Sequence, residues 1–99
     1  MLTHEQIVQA VEKAATKFPF KKVLYFGSYA DGKATEQSDL DLLVEFPKDA
    51  RVSILDVMDF KQNLEEELSI GVDVVGLPLT ERAQRHLIIK KIVPVYERT

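Results

Sequence analysis

The stretch YFGSYADGKATEQSDLDLLVEF, Tyr25–Phe46, carries the pattern that decides the fold. A Gly-Ser pair, Gly27 and Ser28, closes one apolar run, and two aspartates, Asp39 and Asp41, open the next. Aspartate is disfavoured inside strands, and an isolated buried carboxylate is costly unless it is paired or bound to a metal. The pattern therefore indicates a strand whose leading edge carries a chemical site.

The composition is that of a globular domain, and it excludes several classes of protein. The chain has 99 residues, of which 45% are hydrophobic and 29% charged, so we expect one domain spanning 1–99. A formal net charge of -3 provides no broad basic face, and no direct nucleic-acid binding is expected. Cysteine is absent, which rules out disulfides and thiolate metal sites. Because no apolar run approaches the roughly 20 residues of a membrane span, and no signal core opens the chain, we expect a cytoplasmic protein.

Helical spacing of apolar residues predicts three helices. Thr3 and Gln6 fit a capping box ahead of the first helix, and Ser53 caps the second, which we expect to end at Gly71. The first helix has the apolar stripe Ile7, Val8, Val11, Ala14, Ala15 and Phe18. The second has the stripe Ile54, Leu55, Met58, Leu64 and Leu68. A last helix is predicted from Thr80 to about Lys91.

Runs of β-branched and aromatic residues predict the strands. These runs are Lys22–Phe26, Asp39–Phe46, Val72–Gly76 and Ile92–Glu97. Pro94 places the terminal strand at a sheet edge, since proline has no N–H to donate to a neighbouring strand. The resulting order, α-β-β-α-β-α-β, predicts an α/β (α+β) domain with a small mixed sheet and helices packed on it.

The predicted topology brings the polar residues of the sheet to one edge. The second and third strands are joined by a long helix, so a parallel, right-handed crossover is expected. Both strands then start at the same edge, which places Asp39, Asp41 and Asp73 together. If the first strand runs antiparallel beside the second, Gly27 and Ser28 arrive at that edge as well.

These residue types suit nucleotidyl transfer from a nucleoside triphosphate. Gly27 lets the backbone approach a ligand closely, and the free N–H groups of a helical turn starting at Ser28 can hold phosphate oxygens. Asp39, Asp41 and Asp73 offer the hard oxygen ligands that Mg²⁺ takes together with substrate phosphates. Two such ions ~4 Å apart stabilise the attacking and leaving oxygens of an in-line displacement.

Gly-Ser, ten residues and then Asp-x-Asp opening an apolar strand resembles the minimal nucleotidyltransferase branch of the polymerase-beta-like nucleotidyltransferase superfamily. The resemblance covers Leu24–Phe46 strongly and Val72–Val75 more weakly. It implies a nucleotidyltransferase palm-like core that transfers AMP from ATP to a hydroxyl, with tyrosine the favoured acceptor, on a HEPN-domain toxin. The chain would then be the antitoxin of a HEPN/MNT toxin–antitoxin system and form a hetero-oligomer with that toxin.

The resemblance also implies a role for each site residue. Gly27 and Ser28 would hold the triphosphate of ATP. Asp39 and Asp41 would bind both Mg²⁺ ions. Asp73 would bind the catalytic ion and help to deprotonate the acceptor hydroxyl.

One departure from the resemblance and two alternative functions bear on this interpretation. Many minimal members have a basic residue before the second glycine, where this chain has Asp31 before Gly32, and a possible phosphate contact is lost. Other cations could contact phosphate, although positions on a solvated surface explain them equally well: Lys33, Arg82, Arg85 and Lys90.

The alternative functions are a catalytically silent binding module and a nucleotidyltransferase for small molecules or nucleic acids. The intact carboxylates argue against the first, and the short chain argues against the second.

Overall fold

The computed structural model describes residues 2–18, 20–47, 53–77 and 91–98. Its elements are α1 (His4–Ala15), β1 (Lys22–Phe26), β2 (Leu40–Glu45), α2 (Ile54–Leu68), β3 (Val72–Leu77) and β4 (Val93–Glu97). The predicted order is confirmed for these elements. The last predicted helix, from Thr80 to about Lys91, lies almost wholly within residues 78–90, which are outside the described part of the chain.

The strands form one mixed sheet in the order β3-β2-β1-β4. β1 pairs antiparallel with both β2 and β4, and β2 pairs parallel with β3. The connection between β2 and β3 contains α2, as the crossover argument predicts. β4 lies at a sheet edge, where Pro94 was expected, and its register with β1 shifts between Val23 and Leu24.

The hydrophobic core lies between the two helices and one face of the sheet. The capping box of Thr3 and Gln6 begins α1, as predicted. The buried residues of α1 are Ile7, Ala10, Val11, Ala14 and Ala15. From β2, alternate residues enter the same core, namely Leu40, Leu42 and Val44. Since alternate residues of a strand point to opposite faces, Asp39 and Asp41 lie on the face turned away from this core.

Within the residues that the structure describes, no helix has the length and apolar character that a membrane span requires.

The predicted apolar stripe of α2 was partly wrong. Its capping box at Ser53 is present, but Ile54, Leu55 and Met58 are 74%, 67% and 59% exposed. The buried residues of the helix are Leu64, which the predicted stripe includes, and Phe60, which it does not. The Phe60 ring packs edge-on against Phe20, with 4.9 Å between the ring centroids, and also contacts Phe18. These aromatic contacts set which face of α2 turns inward.

The predicted end of α2 was also wrong. The helix ends at Leu68, and Ser69 adopts the left-handed conformation with a φ of 57°. The N–H of Ser69 donates to the carbonyl of Glu65 at 2.9 Å, which closes the last turn. Ser69 therefore takes the capping position that is often filled by glycine. Gly71 is free for another role at the start of β3.

Candidate active site

The backbone brings the three predicted aspartates and the Gly-Ser pair to one edge of the sheet. Asp41 of β2 lies in register with Asp73 of the parallel strand β3. On its other side Asp41 lies opposite Phe26, the last residue of β1, so Gly27 and Ser28 leave β1 at the same edge. Asp39 immediately precedes β2 and is exposed. The predicted convergence is therefore confirmed for the backbone, while the roles of these residues stay predictions.

The segment after β1 forms a single helical turn. Gly27 has a φ of +74°, a conformation that disfavours residues with a side chain. The N–H of Asp31 donates to the carbonyl of Gly27, and the N–H of Lys33 donates to that of Ser28, both at 2.9 Å. The amides of Ser28 and Tyr29 donate to no other described group. Such free amides at the start of a helical turn are suited to hold phosphate oxygens.

The electrostatics of the edge are dominated by negative charge. The pKa of Asp41 is raised, first by burial of its carboxyl group and then by the neighbouring charges of Asp73 and Asp39. Among the described residues, no hydrogen bond or ion pair neutralises any of these three carboxylates. The described ion pairs lie elsewhere, on the helices, and join Lys13 to Glu67 and Lys61 to Glu65. Carboxylate oxygens are the donors that Mg²⁺ takes together with substrate phosphates, so these three aspartates are the candidate metal ligands.

The two carboxylates of the Asp-x-Asp pair lean toward opposite neighbours. The Asp41 carboxylate occupies the space where a Cβ on Gly27 would stand, with its Cγ 3.2 Å from that position. The Asp39 carboxylate occupies the corresponding space at Gly71, with its Cγ at 3.0 Å. In the described ranges, no three acidic, histidine or cysteine side chains converge on one point as the ligands of a single ion. The fold thus assembles the three aspartates, but in these side-chain conformations they do not form a closed ligand set.

The other candidate phosphate-contacting residues lie partly on this turn and partly outside the described residues. Asp31 and Lys33 are exposed on the turn, whereas Arg82, Arg85 and Lys90 lie outside the described residues. The loop before Asp39 is stabilised by a hydrogen bond from the Thr35 amide to the Ser38 hydroxyl at 2.8 Å. The carbonyl of Thr35 accepts from the Ser38 amide at 3.0 Å in return.

The residue that sequence reasoning missed is Gly71. The sequence pattern predicts Gly71 as the end of α2, whereas the structure places it against the Asp39 carboxylate. A glycine two residues ahead of Asp73 was the available signal. Its meaning depends on the pairing of β2 with β3, which a single sequence does not display.

Comparison with known proteins places this geometry in a family. The nucleotidyltransferase domain family matches residues 7–96. The protein adenylyltransferase MntA of Thermococcus cleftensis is 29% identical over 99 aligned residues, covering 96% of this chain and 98% of that protein. A solved structure of a minimal nucleotidyltransferase is 32% identical and superimposes with a TM-score of 0.71, covering 94% of this chain and 96% of the other.

A complex of known structure has the same fold at lower identity. It contains a tri-AMPylated HEPN toxin from Shewanella oneidensis bound to an MNT antitoxin. The matched chain is 15% identical to this one, with a TM-score of 0.68. The match covers 97% of this chain and 74% of the other. At this identity the similarity is one of fold alone.

Proposed function

Because this chain belongs to the nucleotidyltransferase domain family, we propose that it is a protein adenylyltransferase that transfers AMP from ATP to a hydroxyl of a HEPN-domain toxin and thereby acts as its antitoxin. The observation that carries the proposal is the position of Asp39, Asp41 and Asp73 beside the helical turn at Gly27. The relative named protein adenylyltransferase MntA, which matches nearly end to end, supports the reaction class. The complex of an MNT antitoxin with an AMPylated HEPN toxin supports the kind of partner.

The turn after β1 binds the triphosphate in this proposal. Gly27 permits close approach of a phosphate, because it has no side chain and a positive φ. The amides of Ser28 and Tyr29 donate to phosphate oxygens, and the Ser28 hydroxyl is a further donor. Asp31 contributes no positive charge to this turn, and the proposal assigns the phosphate contacts here to the backbone amides and to metal.

The three aspartates would hold divalent cations, and one of them would accept the proton of the acceptor hydroxyl. Asp39, Asp41 and Asp73 would hold Mg²⁺, which neutralises phosphate charge and stabilises the attacking and leaving oxygens. The acceptor oxygen forms a bond to the α-phosphorus of ATP, and the bond from that phosphorus to the bridging oxygen of pyrophosphate breaks. Asp73 accepts the proton that the hydroxyl loses. The products are the AMP ester of the toxin and pyrophosphate.

A partner protein supplies the alignment of the acceptor. The attacking oxygen has to lie about 3–3.5 Å from the phosphorus and in line with the leaving group. We propose that a docked toxin presents its own hydroxyl to this edge of the sheet. We propose that residues 1–99 act as one minimal nucleotidyltransferase domain and do so in the cytoplasm, where ATP is available.

The proposal is tested by following each phosphate of ATP separately. The purified chain is incubated with the HEPN partner and with ATP labelled at either the α- or the γ-phosphate. We expect the label from the α-position alone to appear on the toxin, and the Asp73→Asn variant to transfer none. Label from the γ-position would identify a kinase, and absence of transfer from both would favour the silent binding module.

A further inference from the structure

Gly71 lies at the junction between α2 and the candidate active site. It directly precedes β3 and is half-buried. Its carbonyl accepts a hydrogen bond of 2.9 Å from the amide of Leu40, the first residue of β2. The Asp39 carboxylate fills the space beside its Cα, since a Cβ built there would stand 3.0 Å from the Asp39 Cγ and closer still to Oδ1.

The backbone of Gly71 does not itself require glycine. Positive φ values in the described residues belong to Gly27, Gly32 and Ser69, so an alanine at position 71 meets no conformational penalty of that kind. The three heavy atoms nearest to the added methyl group all belong to the Asp39 side chain, and none belongs to the backbone of β2. The Asp39 side chain is the part that has to move.

We propose that Gly71 is a positioning residue for Asp39. Because position 71 has no side chain, the space beside its Cα, here called the seat, holds the Asp39 carboxylate at the edge of the sheet that carries the candidate active site. The inference rests on the proposed function in so far as Asp39 is a metal ligand. A methyl group in the seat displaces the Asp39 carboxylate from its place beside Gly71. Groups that orient metal ligands typically change metal affinity by about 10–100-fold when they are altered, and we expect an effect in this range.

The first experiment measures the response of the protein to Mg²⁺ alone. Thermal unfolding is followed across a Mg²⁺ titration for wild type, for Gly71→Ala and for the control Gly76→Ala. The control adds the same methyl group within β3, where it meets the Phe46 ring at 3.0 Å and no carboxylate. We expect the Mg²⁺ concentration giving half of the maximal shift to rise about tenfold or more in Gly71→Ala and to stay unchanged in Gly76→Ala.

A double-mutant cycle on the metal-free protein tests the contact itself. If Gly71 acts through the Asp39 carboxylate, the change in unfolding temperature that Gly71→Ala causes in wild type disappears in the Asp39→Ala background. An equal change in both backgrounds would overturn the proposal, because the methyl group would then be disturbing the strand. An unchanged or lower Mg²⁺ requirement in Gly71→Ala would overturn it as well.

The two experiments also separate this inference from the proposed function. A wild-type protein that shows no response to Mg²⁺ would contradict the metal assignment of the aspartates. The cycle between Gly71 and Asp39 would still decide whether the glycine seats the carboxylate. A wild-type protein that responds, with Gly71→Ala responding equally, would leave the metal site intact and contradict the role of Gly71.

Discussion

Asp41 of β2 and Asp73 of β3 lie side by side in the parallel ladder, so two acidic residues are neighbours at the start of adjacent strands. Like charges on neighbouring strands destabilise a sheet. Burial, Asp73 and Asp39 together raise the pKa of the Asp41 carboxyl, which means that the folded protein opposes its ionisation. This arrangement reduces the stability of the metal-free fold, and the proposed metal ions would relieve it.

Replacing Asp41 with asparagine should therefore stabilise the metal-free protein near neutral pH. We expect the free energy of unfolding to rise by about 0.2–1 kcal/mol, the scale of cross-strand charge pairs, while AMP transfer is abolished. Urea denaturation of both proteins in EDTA measures the difference. An Asp41→Asn variant that unfolds would show that the carboxylate is structural.

The pH dependence of that difference follows from the direction of the pKa shift. Because the Asp41 pKa is raised on folding, the folded state holds the proton more tightly than the unfolded state. Stability of wild type relative to Asp41→Asn should fall as pH rises from the ordinary aspartate pKa to the raised one, and stay constant above it. Denaturation at a series of pH values checks this, and a rise through that window would contradict the charge account.

The convergence of the candidate site residues at one edge of the sheet could be predicted, because the strand pattern and the α2 connection determine it. The Asp-x-Asp pair can be recognised in the sequence because it places acidic residues within an apolar strand. The long α2 connection predicts that β2 and β3 are parallel, as they are in the structure. The directions of the carboxylates could not be predicted, since they depend on which neighbouring residue leaves space. Gly27 and Gly71 leave that space on opposite sides, and strand pairing alone reveals it.

The orientation of α2 could not be predicted because apolar residues occur on more than one of its faces. Ile54, Leu55 and Met58 are as hydrophobic as the residues that are buried, and local spacing does not separate them. The decision comes from contacts distant in sequence, between Phe60 and the rings of Phe18 and Phe20.

Two substitutions on α2 should have very different effects on stability. Phe60 is fully buried, so Phe60→Ala should lower the free energy of unfolding by about 3–5 kcal/mol, or prevent folding. Met58 is 59% exposed, so Met58→Ala should change it by less than about 0.5 kcal/mol. Chemical denaturation with circular dichroism measures both. Comparable losses in the two variants would contradict the orientation of α2.

Binding of ATP should depend on divalent cations. The turn at Ser28 has no described cationic side chain bonded to it, and the neighbouring carboxylates repel a triphosphate unless their charge is neutralised. Calorimetry should therefore show ATP binding with Mg²⁺ and much weaker binding in EDTA. Equal affinity under the two conditions would contradict the assignment of Asp39, Asp41 and Asp73 as metal ligands.

The mass of the toxin tests most directly whether neutralisation is catalytic. The HEPN partner is co-expressed with wild type or with the Asp39→Ala/Asp41→Ala variant, purified, and measured by intact-mass spectrometry beside a growth assay. The account predicts one or more AMP units on the toxin with wild type, and an unmodified, growth-inhibiting toxin with the variant. An unmodified toxin that the variant still neutralises would contradict catalysis and leave binding as the function.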